Sequence, residues 1–156
     1  VKLLRVLQER SIERVGGNEP IPIDVRVVAA TNRPLEKMVK DGTFREDLYY
    51  RLAAFTLKIP PLRHRTTDIP AIADHLLARI NADFAKAEPG YQDKRLSVGT
   101  KRFLCQQAWP GNVRQLHNVL LQAAVMIDGP TIEPRDIEAG LSDAAGRDHL
   151  SSADLP

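Results

Sequence analysis

The sequence predicts an α/β region, with a strand patterned like those of a parallel sheet, followed by an all-helical region. Before Pro61, helix-like and strand-like segments alternate. Within them Val25, Val27, Val28, Ala29 and Ala30 form a nearly continuous run of β-branched and small apolar residues, the pattern of a strand covered on both faces. After Pro61, apolar residues recur at helical spacing. With 156 residues and 43% hydrophobic composition, the chain can bury one fair core or two small ones.

In VKLLRVLQER, Leu3, Leu4 and Leu7 fall at helical offsets with no starting methionine, cap or leading loop, so a piece of a longer protein is expected. Ser11 to Val15 alternates as a short strand, and Gly16, Gly17, Asn18 and Pro20 make a turn. Ile21 to Ala30 is expected as the covered strand, ending at Thr31, Asn32, Arg33 and Pro34. Leu35 to Lys40 reads as a short helix closed by Asp41 and Gly42. In FREDLYYRL, Phe44, Leu48, Tyr49 and Leu52 share one helical stripe, which anchors the segment and leaves Arg45 and Arg51 pointing away from its core. Ala54 to Ile59 alternates as another strand, stopped by Pro60 and Pro61.

Leu62, Arg63, His64 and Arg65 form a basic connector, and Thr67 or Asp68 is expected to cap a long helix. That helix carries Ile69, Ile72, Ala73, Leu76, Leu77, Ile80 and Phe84 on one stripe. A loop from Ala87 to Lys94 follows, and Ser97 caps a helix ending near Gln107 that contains the poor helix former Gly99. Trp109, Pro110 and Gly111 make a tight corner. Asn112 is expected to cap the next helix, which buries Val113, Leu116, Val119, Leu120, Ala123 and Ile127 and leaves Arg114 and His117 off the stripe. Asp128, Gly129 and Pro130 end it, and Ile132 to Ile137 reads as a closing turn and short helix. The expected organisation is an α/β part over 1–62, a helical part over 63–140 and a linker or tail over 141–156.

The 22 basic and 20 acidic residues are mixed along the chain, with no basic block of the kind that marks a nucleic-acid arm. A single cysteine, Cys105, excludes an internal disulfide and a multi-cysteine metal site, and reads as a packed thiol. His75, His117 and His149 have no ligand spacing, so no metal site is expected. Nothing resembles a signal peptide or an apolar span of membrane length, and the cytoplasm is the default location.

Three places could carry chemistry. Arg45 and Arg51, held on an anchored segment, suit a phosphate or carboxylate partner, because a guanidinium offers a planar fork of donors and keeps its charge. The alternative is a solvated helix with its own Glu and Asp pairs. Asn32, past the carboxyl end of the expected strand, either orients a water or phosphate or is a turn residue before Arg33 and Pro34. Arg114 lies in the first turn of its helix, near the amide-rich end that favours anions.

KLLRVLQER, ERVGG, DVRVVAATN, FREDLYYRL, PPLR and WPGNVRQL, in that order, resemble the AAA+ ATPase domain of sigma-54-dependent bacterial transcriptional activators. The resemblance runs from Val1 to about Ile137 and covers the carboxyl-terminal part of that domain, an α/β subdomain followed by a helical lid. It implies that Asn32 is the sensor I residue and that Arg45 and Arg51 are the pair from which an arginine finger reaches the γ-phosphate in the neighbouring subunit. It also makes Arg114 the sensor II arginine that contacts the nucleotide in its own subunit, with Val113 as an adenine contact, matches Leu62, Arg63 and Arg65 to the hinge, and counts Leu62 and Ile69 among the nucleotide-binding residues. Such charges suit phosphoryl transfer, where an arginine finger is worth roughly 1,000-fold or more in rate. Ala53, His64 and Gln115 depart from the family pattern, which more often has Asn, an acid and Glu there.

No G-x-x-x-x-G-K-[ST] loop and no strand ending in paired acids is present to hold phosphates and magnesium. The resemblance therefore implies ATP and Mg²⁺ in the parent protein, with neither expected to bind this chain tightly and no hydrolysis by the chain alone. The implied partners are neighbouring subunits of a hexameric or heptameric ring, RNA polymerase holding sigma-54, and DNA through a separate domain; no membrane is implied. Two alternatives stand beside it. The corner at Trp109 to Gly111 has roughly helix-turn-helix spacing for DNA, although the following helix offers little besides Arg114 to read bases; or the chain is an inert oligomerisation or lid piece.

Overall fold

The computed structural model describes residues 2–14, 16, 17 and 19–150, and the chain divides into two units, 1–58 and 59–156. In the first, the leucine-bearing start forms α1 (Lys2–Glu9). Strand β1 (Ser11–Glu13) then pairs antiparallel with β2 (Pro20–Pro22), placing Ile12 opposite Ile21. Gly16 takes a left-handed φ of +85° in the connection. The expected strand end at Val15 and turn residue Asn18 lie outside the described residues. Helix α2 (Leu35–Lys40) closes as its sequence predicts, with the Asp41 and Gly42 amides donating to the Lys37 and Val39 carbonyls. Helix α3 (Glu46–Leu52) follows, and Tyr49 Oη donates to Glu36 of α2 at 3.3 Å.

Two expected strands are corrected. Of Ile21 to Ala30, only the first residues pair, in β2; after the Ile23 amide donates to the Arg10 carbonyl at 2.7 Å, no backbone hydrogen bond among the described residues reaches 24–30. Ala54 to Ile59 likewise forms no strand: Ala54 lies in a turn, Phe55 in a bend, and 56–59 have no regular secondary structure. The physical reason is lateral. A strand is defined by a neighbour that takes its amides and carbonyls, and composition cannot supply one. Val28 is 84% exposed and Phe55 86% exposed, so these segments carry core-strand side chains without a covering layer.

The second unit has its own core. Single 3-10 turns at Leu62–His64 and Thr66–Asp68 lead into α4 (Ile69–Ala87). Neither Thr67 nor Asp68 caps α4 with its side chain, because the 3-10 turn runs directly into the helix and Asp68 keeps helical backbone, φ −85° and ψ −19°, where a cap needs a non-helical one. The predicted stripe is the buried face: Ile69, Ala73, Leu76, Leu77 and Ile80 are buried, and Ile72 and Phe84 pack against them. Helix α5 (Val98–Cys105) is capped by Ser97, whose Oγ accepts from the Thr100 amide at 3.1 Å. Helix α6 (Asn112–Met126) buries Leu116, Val119, Leu120, Ala123 and Ala124.

Two features depart from an all-helical reading of this unit. Strand β3 (Arg95–Leu96) pairs in parallel with β4 (Thr131–Ile132), a contact too short to leave a periodic trace in the sequence. Helix α7 (Pro134–Leu150) is longer than the short helix expected at its start and enters the stretch expected as a tail. Residues 151–156 lie outside the described residues.

Polar groups lock this core. Thr100 Oγ1 donates to the Ile132 carbonyl at 2.7 Å, and buried Lys94 donates through Nζ to the Ile127 and Gly129 carbonyls, each at 3.0 Å. An ammonium there satisfies acceptors past the carboxyl end of α6, where positive charge is favoured. Trp109 is buried and its Nε1 donates to the Leu104 carbonyl at 2.8 Å, closing the corner between α5 and α6. Trp109→Ala is expected to cost about 3–5 kcal/mol in urea unfolding followed by circular dichroism. A loss below about 1 kcal/mol would contradict its place in the core.

Candidate functional site

Functional side chains predicted from sequence fall in both units, and each set is held locally. In the first unit, Phe44, Leu48, Tyr49 and Leu52 are half-buried and fix one side of α3, while Arg45 and Arg51 are exposed. Arg45 precedes the helix in extended backbone, and its fork grips Asp47: Nε donates to Oδ1 at 3.0 Å and Nη2 to Oδ2 at 2.6 Å. The hydrogen bond and the charge of Asp47 raise the Arg45 pKa; the Arg45 hydrogen bond in turn lowers that of Asp47, helped by the Leu48 amide. Both groups are exposed, so the pair orients Arg45 more than it stabilises the unit. Arg51, in the last turn of α3, makes no hydrogen bond or ion pair among the described residues.

The two arginines therefore differ. Arg45 satisfies the alternative of a helix paired with its own acid, whereas Arg51 presents its donors to solvent. A shallow hollow beside them is lined by Glu36, Val39, Lys40, Glu46, Tyr49 and Tyr50, and includes neither arginine. Asn32 is exposed in a bend where the Arg33 amide donates to Thr31 Oγ1 at 3.0 Å. It follows a segment without regular secondary structure, not a strand of a sheet, so the sheet-end setting expected for it is absent among the described residues.

In the second unit, the start of α6 is built by an unusual run of backbone. Trp109 and Asn112 both take left-handed φ angles, +48° and +49°. Asn112 does not cap α6. Its Oδ1 instead accepts the Leu62 amide at 3.0 Å, fifty residues away in sequence, because the left-handed backbone turns the side chain from its own helix. The cap comes from Gln115, whose Oε1 accepts the Gly111 amide at 3.0 Å. A Cβ on Gly111 would stand 2.8 Å from Gln115 Cβ, so the close turn requires glycine.

Val113 is half-buried and Arg114 exposed at this end of α6. Leu62 and Ile69 are fully buried in the unit's own core and present no side-chain surface. Arg65 is half-buried, and its Nε is enclosed without a hydrogen-bond partner. The structure thus ties Leu62, Val113 and Arg114 to one end of the second unit and Arg45 and Arg51 to one helix of the first. Cys105 is half-buried and its thiol donates to the Thr66 carbonyl. Among the described residues, no group of three His, Cys, Asp or Glu side chains is placed to hold a metal, and no helix is long and apolar enough to cross a membrane.

Sequence reasoning missed the roles of Asn112, Gln115 and Lys94. Asn112 and Gln115 flank a glycine corner, a usable signal for side chains that bond to the backbone. Lys94 left none.

Comparison with known families resolves what these elements belong to. A model described as the sigma-54 interaction domain matches residues 1–58, and one described as the AAA+ ATPase lid domain matches residues 63–154. The chain belongs to the AAA+ ATPases of the sigma-54 activator family. Among relatives, the nitrogen fixation protein AnfA of Azotobacter vinelandii is 46% identical over 90% of this chain and 25% of that protein. VnfA of the same organism is 52% identical over 84% and 24%. NtrX from Brucella abortus, solved in complex with ATP, superposes with a TM-score of 0.72 at 32% identity, covering 92% of this chain and 32% of that one. The chain thus spans about a quarter of the length of these curated relatives. It corresponds to the carboxyl-terminal part of the AAA+ domain, a mixed α/β segment followed by the lid.

The Arg45–Asp47 pair has a pH signature. Because the folded Asp47 carboxyl titrates below its unfolded value, the pair is intact above the unfolded value and is lost as pH falls through the folded one. A carbon-13 NMR titration is expected to give Asp47 a midpoint below that of an exposed aspartate, moving upward in Arg45→Ala. An unchanged midpoint in that variant would contradict the pairing.

Proposed function

We propose that this chain is the trans-acting and sensing part of an ATP-driven activator that assembles as a hexameric or heptameric ring and remodels RNA polymerase holding sigma-54. The observation that carries the reading is Arg51: a fully available guanidinium on a helix whose other face is anchored, within a segment matched by the sigma-54 interaction domain. An unpartnered guanidinium on a fixed support is suited to completing the charge of a phosphate pocket on an adjacent subunit, since phosphoryl transfer requires positioned positive charge. Arg45, released from Asp47, acts beside it.

Arg114 contacts the nucleotide of its own subunit, with Val113 against the base. Leu62 and Ile69, buried, form the floor that holds the connector and the start of α6 in place. Asn32 orients the attacking water once 24–30 is a true strand. ATP and Mg²⁺ are held by the parent protein, and neither binds this chain tightly. The exposed core-strand residues of 24–30 and 54–59 support the same reading, because apolar surface of this kind is normally covered; we assign both segments as strands of a larger sheet. DNA is reached through a separate domain.

In the full-length protein, Arg51→Ala is expected to lower ATP hydrolysis by roughly 1,000-fold while nucleotide binding, followed by fluorescence of a labelled ATP analogue, is retained. Hydrolysis at the unsubstituted rate would remove the finger assignment. Arg45→Ala is expected to impair hydrolysis similarly.

A further inference from the structure

We infer that Asn112 is a positioning residue that makes the connector at Leu62 and the start of the Arg114 helix move as one piece. This rests on the nucleotide reading of Arg114 and adds how a displacement of that arginine leaves the lid. The bond from the Leu62 amide to Asn112 Oδ1, 3.0 Å long, joins the first turn of the second unit to the first residue of α6. Leu62 is fully buried, so its amide has no ready water to replace that acceptor.

Asn112 itself has little freedom. Its amide donates to the Trp109 carbonyl at 2.9 Å, its backbone is left-handed, and Trp109 is buried and bonded to α5. A chain of rigid parts therefore runs from Arg114, two residues along α6, through Asn112 to Leu62, only a few residues beyond the junction of the two units. Without the acceptor, the connector is held to α6 through side-chain packing alone, which permits small shifts that a directional hydrogen bond does not. With it, any displacement of Arg114 by a bound phosphate is passed to the connector instead of being absorbed in the corner. Asparagine suits both demands, since it tolerates left-handed backbone and supplies a carbonyl oxygen.

Two substitutions separate the hydrogen bond from the backbone. Asn112→Gly keeps the left-handed conformation and loses the acceptor; Asn112→Asp keeps an acceptor. In the full-length protein, Asn112→Gly is expected to lower the kcat of ATP hydrolysis by roughly tenfold, with a smaller change in KM, and Asn112→Asp to restore most of it. Amide hydrogen exchange in the 156-residue chain supplies an independent readout. Leu62 should exchange faster in Asn112→Gly and at the native rate in Asn112→Asp, with Leu120 unchanged in both. Native kcat in Asn112→Gly, equal damage in Asn112→Asp, or unaltered Leu62 exchange would each overturn the inference. If the unsubstituted full-length protein hydrolyses no ATP, the function proposed above fails, and the exchange arm still decides whether Asn112 holds the connector.

Discussion

Burial of Trp109 is the constraint on which the second unit depends. Its indole fills the corner between α5 and α6 while its nitrogen reaches the Leu104 carbonyl, and that placement requires a left-handed backbone at a bulky residue. Such a conformation persists only where the surroundings over-determine it. Once it is set, Gly111 must be glycine, Asn112 must turn its side chain towards Leu62, and Gln115 must cap the helix in its place. The position of Arg114 follows from packing at a residue five positions earlier.

The first unit works differently. It has no fully buried residue among those described, and α3 is oriented by half-buried side chains and by the Tyr49 to Glu36 hydrogen bond. Its two arginines, Arg45 just before α3 and Arg51 in its last turn, are unlike: one is held by a neighbouring carboxylate, and the other is open. A guanidinium paired with its own acid can exchange that partner for a phosphate at small cost, because an exposed pair is worth little. The arrangement keeps Arg45 extended and aligned without committing it.

Helices were legible in the sequence because period 3.6 is a property of the residues themselves. The stripe from Ile69 to Phe84 and the Ser97 cap are present as expected. Strands were legible only in part, because pairing is a property of neighbours: the alternation from Ser11 is present as β1, whereas 24–30 has the composition of a covered strand and none of its hydrogen bonds. The same limit hid β3 and β4, which pair through only two residues each. In the candidate site, the exposure of Arg45, Arg51 and Arg114 was readable from their places off the apolar stripes. The Asp47 partner was anticipated only as a general pairing with nearby acids, and the Asn112 bond to Leu62 was not readable, since it joins residues fifty apart through an atypical backbone.

In the proposed ring, guanidiniums from one subunit complete a pocket whose sensing arginine belongs to another. Mixing two full-length variants, Arg51→Ala and Arg114→Ala, tests it most directly, with ATP hydrolysis measured across mixing ratios. Each is inactive alone by this account, and mixing should restore hydrolysis, because a subunit that keeps Arg114 can then lie beside one that keeps Arg51. Mixtures as inactive as either variant alone, under conditions where subunits demonstrably exchange, would contradict it.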